Sequence, residues 1–347
     1  MRKTLNIEWF NDASGEKKLD EILNEIKFSG KDRQYDCIIG LSGGVDSSYL
    51  ALKAYDWGLR PLIIHVDGGW NSELAVRNIE KILNYTGWSL QTKVINWPEM
   101  MDLQIAYLRS GVCNQDVPQD HAFFASLFKC AADYNIKFIL SGGNIATEGI
   151  FPKSWHGPAM DAINLRAIHK RYGNRKLKDY PTISFYDYYL HYPFIKGIRQ
   201  IRLLNFVRYN KIEASVELEE RIGYVRYARK HGESNFTRFF QEFYLVHKFQ
   251  IDKRLPHLSS QIVSGQITRQ EALNSVQQTL FDEDEINRLK DHIARKLRLG
   301  SVDFEALINS PIHDWTEFKN WTLRYKMMKF IQEFASRFLN TKLHRYR

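Results

Sequence analysis

Between Asp36 and Ser48 the chain reads Asp-Cys-Ile-Ile-Gly-Leu-Ser-Gly-Gly-Val-Asp-Ser-Ser. An apolar run enters a turn of glycines and small hydroxylated residues, and an amphipathic stretch leaves it. Residues of these types at this spacing can cradle a pyrophosphate. Gly43 and Gly44 let the backbone come close to phosphate oxygens, Ser42, Ser47 and Ser48 can donate hydroxyls, and a helix opening here adds unpaired N–H groups and its positive dipole end. Asp46 places a carboxylate where a phosphate-bound Mg²⁺ needs one. The pattern has neither the Gly-Lys-Ser/Thr of a Walker turn nor the Gly-x-Gly-x-x-Gly of dinucleotide folds. A plain tight turn would use the same glycines, but the strand, turn and helix context of a phosphate site is all present.

Four further clusters could join that turn. His65 and Asp67 end a second apolar run, where Gly68 and Gly69 expose the backbone. Asn114-Gln115-Asp116-Val117-Pro118-Gln119-Asp120-His121 gathers amides and carboxylates before a helix. Asp116 could simply cap that helix, yet two carboxylates exceed what a cap needs, so Asp116, Gln119 and Asp120 are candidates for substrate or metal. Ser141-Gly142-Gly143-Asn144 leads to Thr147 and Glu148, which offers close backbone approach at Gly142 and hydrogen-bonding side chains at Asn144, Thr147 and Glu148. Beyond Lys230-His231-Gly232-Glu233, basic residues alternate with Phe and Tyr; Arg238 is a substrate candidate. Lys253 and Arg254 are candidates for a clamp that neutralises charge developing on a leaving pyrophosphate.

These clusters need a frame. From Tyr35 to about Gly143, short β-rich runs (36–41, 61–66, 90–95, 137–141) alternate with amphipathic stretches (45–57, 72–86, 97–109, 119–134). That is the signature of βαβ units, so the expected fold class is α/β, a doubly wound parallel sheet with a mainly helical C-terminal region. Ligands favour the carboxyl ends of parallel strands, which puts Ser42, Asp67 and Ser141–Asn144 on one rim. The expected organisation is an N-terminal extension and helix over 1–34, a sheet-bearing domain over 35–195 and a helical region over 196–347. Residues 183–186 read as a further strand, and 198–210, 237–249 and 269 onward as helical.

The turn resembles the PP-loop of the ATP pyrophosphatase superfamily, whose fold is that of the adenine nucleotide alpha hydrolases and whose members split ATP into AMP and pyrophosphate while activating a carbonyl oxygen. On that resemblance Leu41, Ser42, Gly43, Gly44, Ser47 and Ser48 would hold the nucleotide, backbone groups near His65 would face the base, Asp67 would face ribose, metal or substrate, Gly142 would contact nucleotide or acceptor, and Asp46 would meet the Mg²⁺. The combination of His-Val-Asp-Gly-Gly-Trp, Asn-Gln-Asp-x-Pro-Gln-Asp-His, Ser-Gly-Gly-Asn-x-Ala-Thr-Glu-Gly and Lys-His-Gly-Glu-Ser-x-Phe-Thr-Arg-Phe-Phe-Gln is similar to the N-acetyl sugar amidotransferases of surface-polysaccharide and pseudaminic-acid biosynthesis. The similarity covers about 35 to 272. It implies ATP and Mg²⁺, an N-acetylated sugar or sugar nucleotide as acceptor, and conversion of its acetamido group to an acetamidino group by way of an O-adenylyl imidate and ammonia. It also implies an ammonia-supplying glutaminase and a barrel synthase subunit, together similar to imidazole glycerol phosphate synthase. Catalytic duties fall on Asp46, Asp120, Lys253 and Arg254. Many relatives carry N-terminal cysteine pairs for zinc; this chain has no cysteine before Cys37, so no structural zinc is expected.

Composition sets outer bounds. The 347 residues allow two core-forming units, and their 44% hydrophobic share suits a globular protein. No apolar run is long enough to span a membrane, no export signal is legible, and three scattered cysteines point to reduced thiols, so a cytoplasmic protein without a membrane role is expected. The net charge of +9 fits small anionic ligands or a polyanion. The rival reading is therefore a PP-loop enzyme that thiolates or amidates a tRNA base. Against it stand the lack of a recognisable RNA-binding module and of a Cys-x-x-Cys pair.

Overall fold

The computed structural model describes residues 9–10, 12–152, 155, 157–227 and 232–339. Its frame is a five-stranded parallel sheet built from β1 (Cys37–Gly40), β2 (Pro61–Asp67), β3 (Leu90–Val94), β4 (Phe138–Leu140) and β5 (Arg199–Ile201), in the order β3-β2-β1-β4-β5. The chain steps outward from β1 through β2 to β3, then returns to place β4 on the other side of β1. This reversal between β1 and β4 opens a crevice at their carboxyl ends.

Alternation along the strands buries both faces. Cys37 and Ile39 of β1, Ile63 of β2 and Phe138 and Leu140 of β4 join one apolar cluster, while Ile38, Leu62, Ile64 and Ile139 join another. The first face is covered by the helices Ala13–Ser29, Val45–Asp56, Glu73–Thr86 and Lys211–Ile222. On the second lie the helix Val117–Asp133, aromatic side chains of the π-helical segment Asp187–Ile195, and Trp321. Two-sided coverage is what a parallel sheet requires, and it explains why its strands read as nearly continuous apolar runs.

Observed elements differ from the sequence expectation in three places. Residues 183–186 form no strand; they lead into the π-helical segment, whose rings pack on Trp321. The stretch 198–210, expected to be helical, supplies β5 and a short 3₁₀ turn at Leu203–Asn205. β5 pairs in parallel with β4 through Phe138↔Arg199, Ile139↔Gln200 and Leu140↔Ile201, so the sheet runs past the expected domain end at 195.

The C-terminal helices share a core with the sheet-bearing part. Trp70, Met100, Leu103 and Tyr107 bury against Phe236, Phe239, Ile293 and Phe304. Glu99 reinforces this region from the first turn of the helix Trp97–Ser110 by accepting N–H groups of Lys178, Asp179 and Tyr180. Asp102, one turn on, does the same for Asn174 and Arg175 and pairs with His169 at 2.8 Å. A core made by both halves predicts one cooperative unfolding transition. Phe239→Ala, which empties a fully buried site ringed by Phe236, Phe243, Tyr244 and Phe304, should cost about 3–5 kcal/mol in urea unfolding followed by far-UV dichroism. Two separated transitions, with only the later one moved, would contradict a shared core.

Candidate functional site

β1 delivers the chain to the crevice, and Leu41 continues it by donating its N–H to Ile64. The turn then needs glycine at position 43, where φ is +82° and a Cβ would sit 2.5 Å from the Ala75 carbonyl oxygen. The Gly43 carbonyl accepts the hydroxyls of both Tyr224 and Tyr227 at 3.0 Å. Ser42 and Ser47 face each other across the turn with hydroxyl oxygens 3.1 Å apart, and Gly44 donates its N–H to the Ser42 oxygen. Gly44 opens the helix Val45–Asp56 without a side-chain cap, so the donors of the first turn and the positive dipole end face the crevice.

The loop after β4 closes against that first turn. A Cβ on Gly142 would lie 2.8 Å from Asp46 C and Ser47 N, so glycine sets the approach. Asn144 binds the two loops together: its amide donates to the Asp46 carboxylate at 3.1 Å, while its carbonyl oxygen caps Thr147. Tyr209 donates its hydroxyl to the same Asp46 oxygen, and Lys211 stands 3.6 Å from the other. The Asp46 charge is thus already compensated within the fold. Across the rim, His65 Nδ1 lies 2.9 Å from the Leu41 carbonyl and Nε2 2.9 Å from the Asn71 amide. The pairing assigns the proton to Nδ1 and leaves Nε2 as acceptor.

The opposite wall comes from the chain beyond residue 232. Ser72 donates to the Glu233 carbonyl and Asn235 to the Trp70 carbonyl, which lays 233–235 antiparallel to 70–72. Ser234 then donates to Gln119, whose amide donates to Asp116, and Thr237 donates its hydroxyl to the same carboxylate at 3.1 Å. Asp116 and Asp120 stand one turn apart on one helix face. Both carboxyls are pushed upward, Asp116 by burial and Asp120, which is exposed to the cavity, by loss of hydration there and by the nearby Asp116, while Lys253 pulls both back.

Leu41, Ser42, Asp46 and Ser47 line one side of a cavity of about 290 Å³, with His65 and Gly142 beside them. Gln119, Asp120, Glu148, Glu233, Ser234 and Thr237 line the remainder. Of the other expected residues, Gly43, Gly44 and Asn144 shape the turn from behind, and Ser48 and Thr147 are buried. Asp67 turns back to the N–H of Gly69 and the amide of Asn71. Asp116 backs Asp120. Three expected cations lie away from the serine turn. The Arg254 guanidinium is taken up by Asp252 and by the carbonyls of Ser275, Val276 and Gln278, where it caps the end of the helix Arg269–Gln277. Arg238 is held by Glu242 and Glu285. Lys253 lies beside the Asp116/Asp120 pair, between the rings of Phe151 and Phe240, instead of at the serine turn. Lys230 and His231 lie outside the described residues.

Sequence reading overlooked Asn71, Tyr209, Lys211, Tyr224, Tyr227 and the direct role of Glu233, Ser234 and Thr237 in the wall. The last three sat in a segment already marked by its polar and aromatic mixture. Nothing local distinguishes the tyrosines, which act across the fold. Glycine at 142 and hydroxyls at 42 and 47 fit a nucleotide triphosphate. A metal ion has less provision: among the described residues no group of three or more His, Cys, Asp or Glu could hold one, so Mg²⁺ would need phosphate oxygens beside Asp46.

Residues 233–332 match the family described as LPS biosynthesis protein WbpG-like, C-terminal domain. No curated protein matches the chain. Similar solved structures include NMN synthetase from Francisella tularensis, at 15% identity over 83% of this chain and 98% of that one, with a TM-score of 0.41. Another is the NH3-dependent NAD synthetase from Campylobacter jejuni, at 13% identity over 74% of this chain and 98% of that one, with a TM-score of 0.32. The α/β assignment rests on this chain's own sheet: a doubly wound parallel α/β fold with a phosphate-type turn at its switch point.

The buried Asp116 carboxyl generates a prediction. Because burial raises it to about 6, the folded chain keeps a proton that the unfolded chain has released. Stability from this source is present at low pH and is lost as pH climbs from the ordinary carboxylate range toward about 6. Asp116→Asn removes this group. Its urea midpoint should therefore gain on that of the wild type between about pH 4 and about pH 7, whereas a constant difference across that range would contradict the placement.

Proposed function

We propose that this protein is an ATP-consuming ligase that activates the acetamido oxygen of a sugar and lets ammonia replace it, leaving an acetamidino group. One observation carries the reading. The serine turn at the head of the helix Val45–Asp56 and Asp120, backed by the buried Asp116, face one cavity at the β1/β4 switch point. The match of residues 233–332 to a WbpG-like domain of LPS biosynthesis supports a sugar acceptor, since this segment forms the wall at Glu233, Ser234 and Thr237.

The chemistry follows from the arrangement. The carbonyl oxygen attacks the α-phosphorus of ATP, the bond from α-phosphorus to the bridging oxygen breaks, and pyrophosphate leaves with its electrons. Ser42, Ser47 and the helix N-terminus face the charge that develops there. Mg²⁺, held by Asp46 and phosphate oxygens, would supply further positive charge. Ammonia then adds its lone pair to the imidate carbon, AMP leaves with the C–O bonding electrons, and the nitrogen sheds a proton. Asp120 lines the cavity as a carboxyl whose affinity for protons is raised, which suits it to take that proton. Glu148 lines the cavity on the acceptor side, while Asn144 acts through Asp46 by holding its carboxylate. A glutaminase acting with a barrel synthase would deliver ammonia in the cell.

Ammonium salt at high concentration should replace that delivery. With ATP, Mg²⁺ and the true acetamido sugar, the protein should release AMP and pyrophosphate and yield a product about one mass unit lighter and cationic, because oxygen is exchanged for NH. Asp46→Asn should lower the turnover by about a hundredfold or more while the thermal transition persists. Mass spectrometry of candidate sugars and of bulk tRNA in parallel decides the matter; a modified tRNA base with every sugar unchanged would overturn the proposal.

A further inference from the structure

The helix Thr322–Leu339 is fastened on one side. Trp321 at its start is buried among Phe185, Tyr188 and Tyr189, and Tyr325 meets Tyr189 with ring centroids 5.6 Å apart. Its other side is outward and apolar: Leu323, Met327, Phe330 and Ile331 are 71, 58, 71 and 62% exposed. Their spacing places all four on one stripe. Arg324 and Lys326 are also exposed and, at about 100° per residue, stand on opposite borders of that stripe, with Lys329 behind Lys326. Glu333 is the acidic residue among the described side chains of this helix. The π-helical segment that touches its base turns Leu190, Phe194 and Ile195 outward as well, and Tyr186 just before it is also exposed.

We propose that this helix docks the protein in the plane of an anionic lipid surface. An apolar stripe bordered by cations fits such a surface: the apolar side chains enter the acyl boundary while Arg and Lys reach outward to phosphate headgroups along their flexible stems. Charge complementarity separates this occupant from a second copy of the chain. Two copies meeting stripe to stripe would set Arg324, Lys326 and Lys329 against like charges, with little acid to offset them. Among the described residues no helix is long and apolar enough to cross a membrane, so the contact is one of lying on the surface. The sequence expectation of no membrane role weighed spanning segments, and a stripe of four residues escapes that criterion. The inference stands apart from the proposed reaction.

The test uses the full chain with phosphatidylcholine vesicles, with and without phosphatidylglycerol, in a flotation assay. The protein should float with the anionic vesicles at low salt, remain behind with the neutral ones, and lose binding as salt rises. Met327→Ser with Phe330→Ser should weaken partition by about tenfold or more. Lys326→Glu with Lys329→Glu, the second of which takes an ammonium from over the Tyr325 ring, should weaken it on anionic vesicles. Thermal transitions should be preserved in both. Absence of wild-type flotation, or equal flotation of wild type and both variants, would overturn the proposal. So would a wild-type dimer in light scattering that the serine variant abolishes, since that assigns the stripe to a second copy.

Discussion

The approach of the Gly142 backbone to the first turn of the helix Val45–Asp56 holds the candidate site together. At this seam the crossover that reverses strand order brings two loops, distant in sequence, into backbone contact with no room for a side chain. Asn144 makes the contact directional, because one amide serves Asp46 on one loop while its oxygen caps the short helix on the other. Tyr209, delivered by the segment after β5, completes the set. The fifth strand therefore does more than widen the sheet. Its exit path carries Tyr209 and Lys211 to the carboxylate that the serine turn exposes.

Electrostatics divides the cavity in two. On the strand-end side lie hydroxyls, helix N–H groups and a carboxylate already matched by Lys211, an arrangement suited to anions. On the other side lie Asp120, exposed to the cavity, and the buried Asp116 behind it, in a setting that disfavours their charge, and Lys253 approaches them between aromatic rings. A chain of net charge +9 thus sets Asp120, Glu148 and Glu233 together along this side of the cavity. Arg254 and Arg238 spend their charge on helix ends and carboxylates in the C-terminal helices, which explains why that basic composition is a poor guide to phosphate contacts.

Much of the frame was legible in the sequence because local and tertiary signals agreed. β1, β2 and β4 are apolar on both faces and bounded by glycine or a capping residue, so their runs and the intervening helices stand out within a residue or two of the structure. β5 hid because Arg-Gln-Ile at an edge needs no apolar alternation; its partner β4 decides its conformation. Residues 183–186 misled in the opposite sense, since Ile183 and Phe185 are apolar for packing on the helix Val117–Asp133 and Trp321, with no strand beside them to pair. The serine turn was readable from its own residues. Tyr209, Lys211 and Tyr224 were not, for their contribution depends on where distant chain segments arrive.

The paired tyrosine hydroxyls on the Gly43 carbonyl carry a consequence for how the protein comes into being. Tyr224 lies 181 residues and Tyr227 184 residues beyond that glycine. During synthesis the serine turn emerges first, and the strands that flank it follow, yet both hydroxyls that fix its outer carbonyl reach it only after 181 and 184 further residues have been added. A nascent chain thus carries the serine turn without its clasp. The finished cavity comes late, when the wall from the C-terminal half is available to close it.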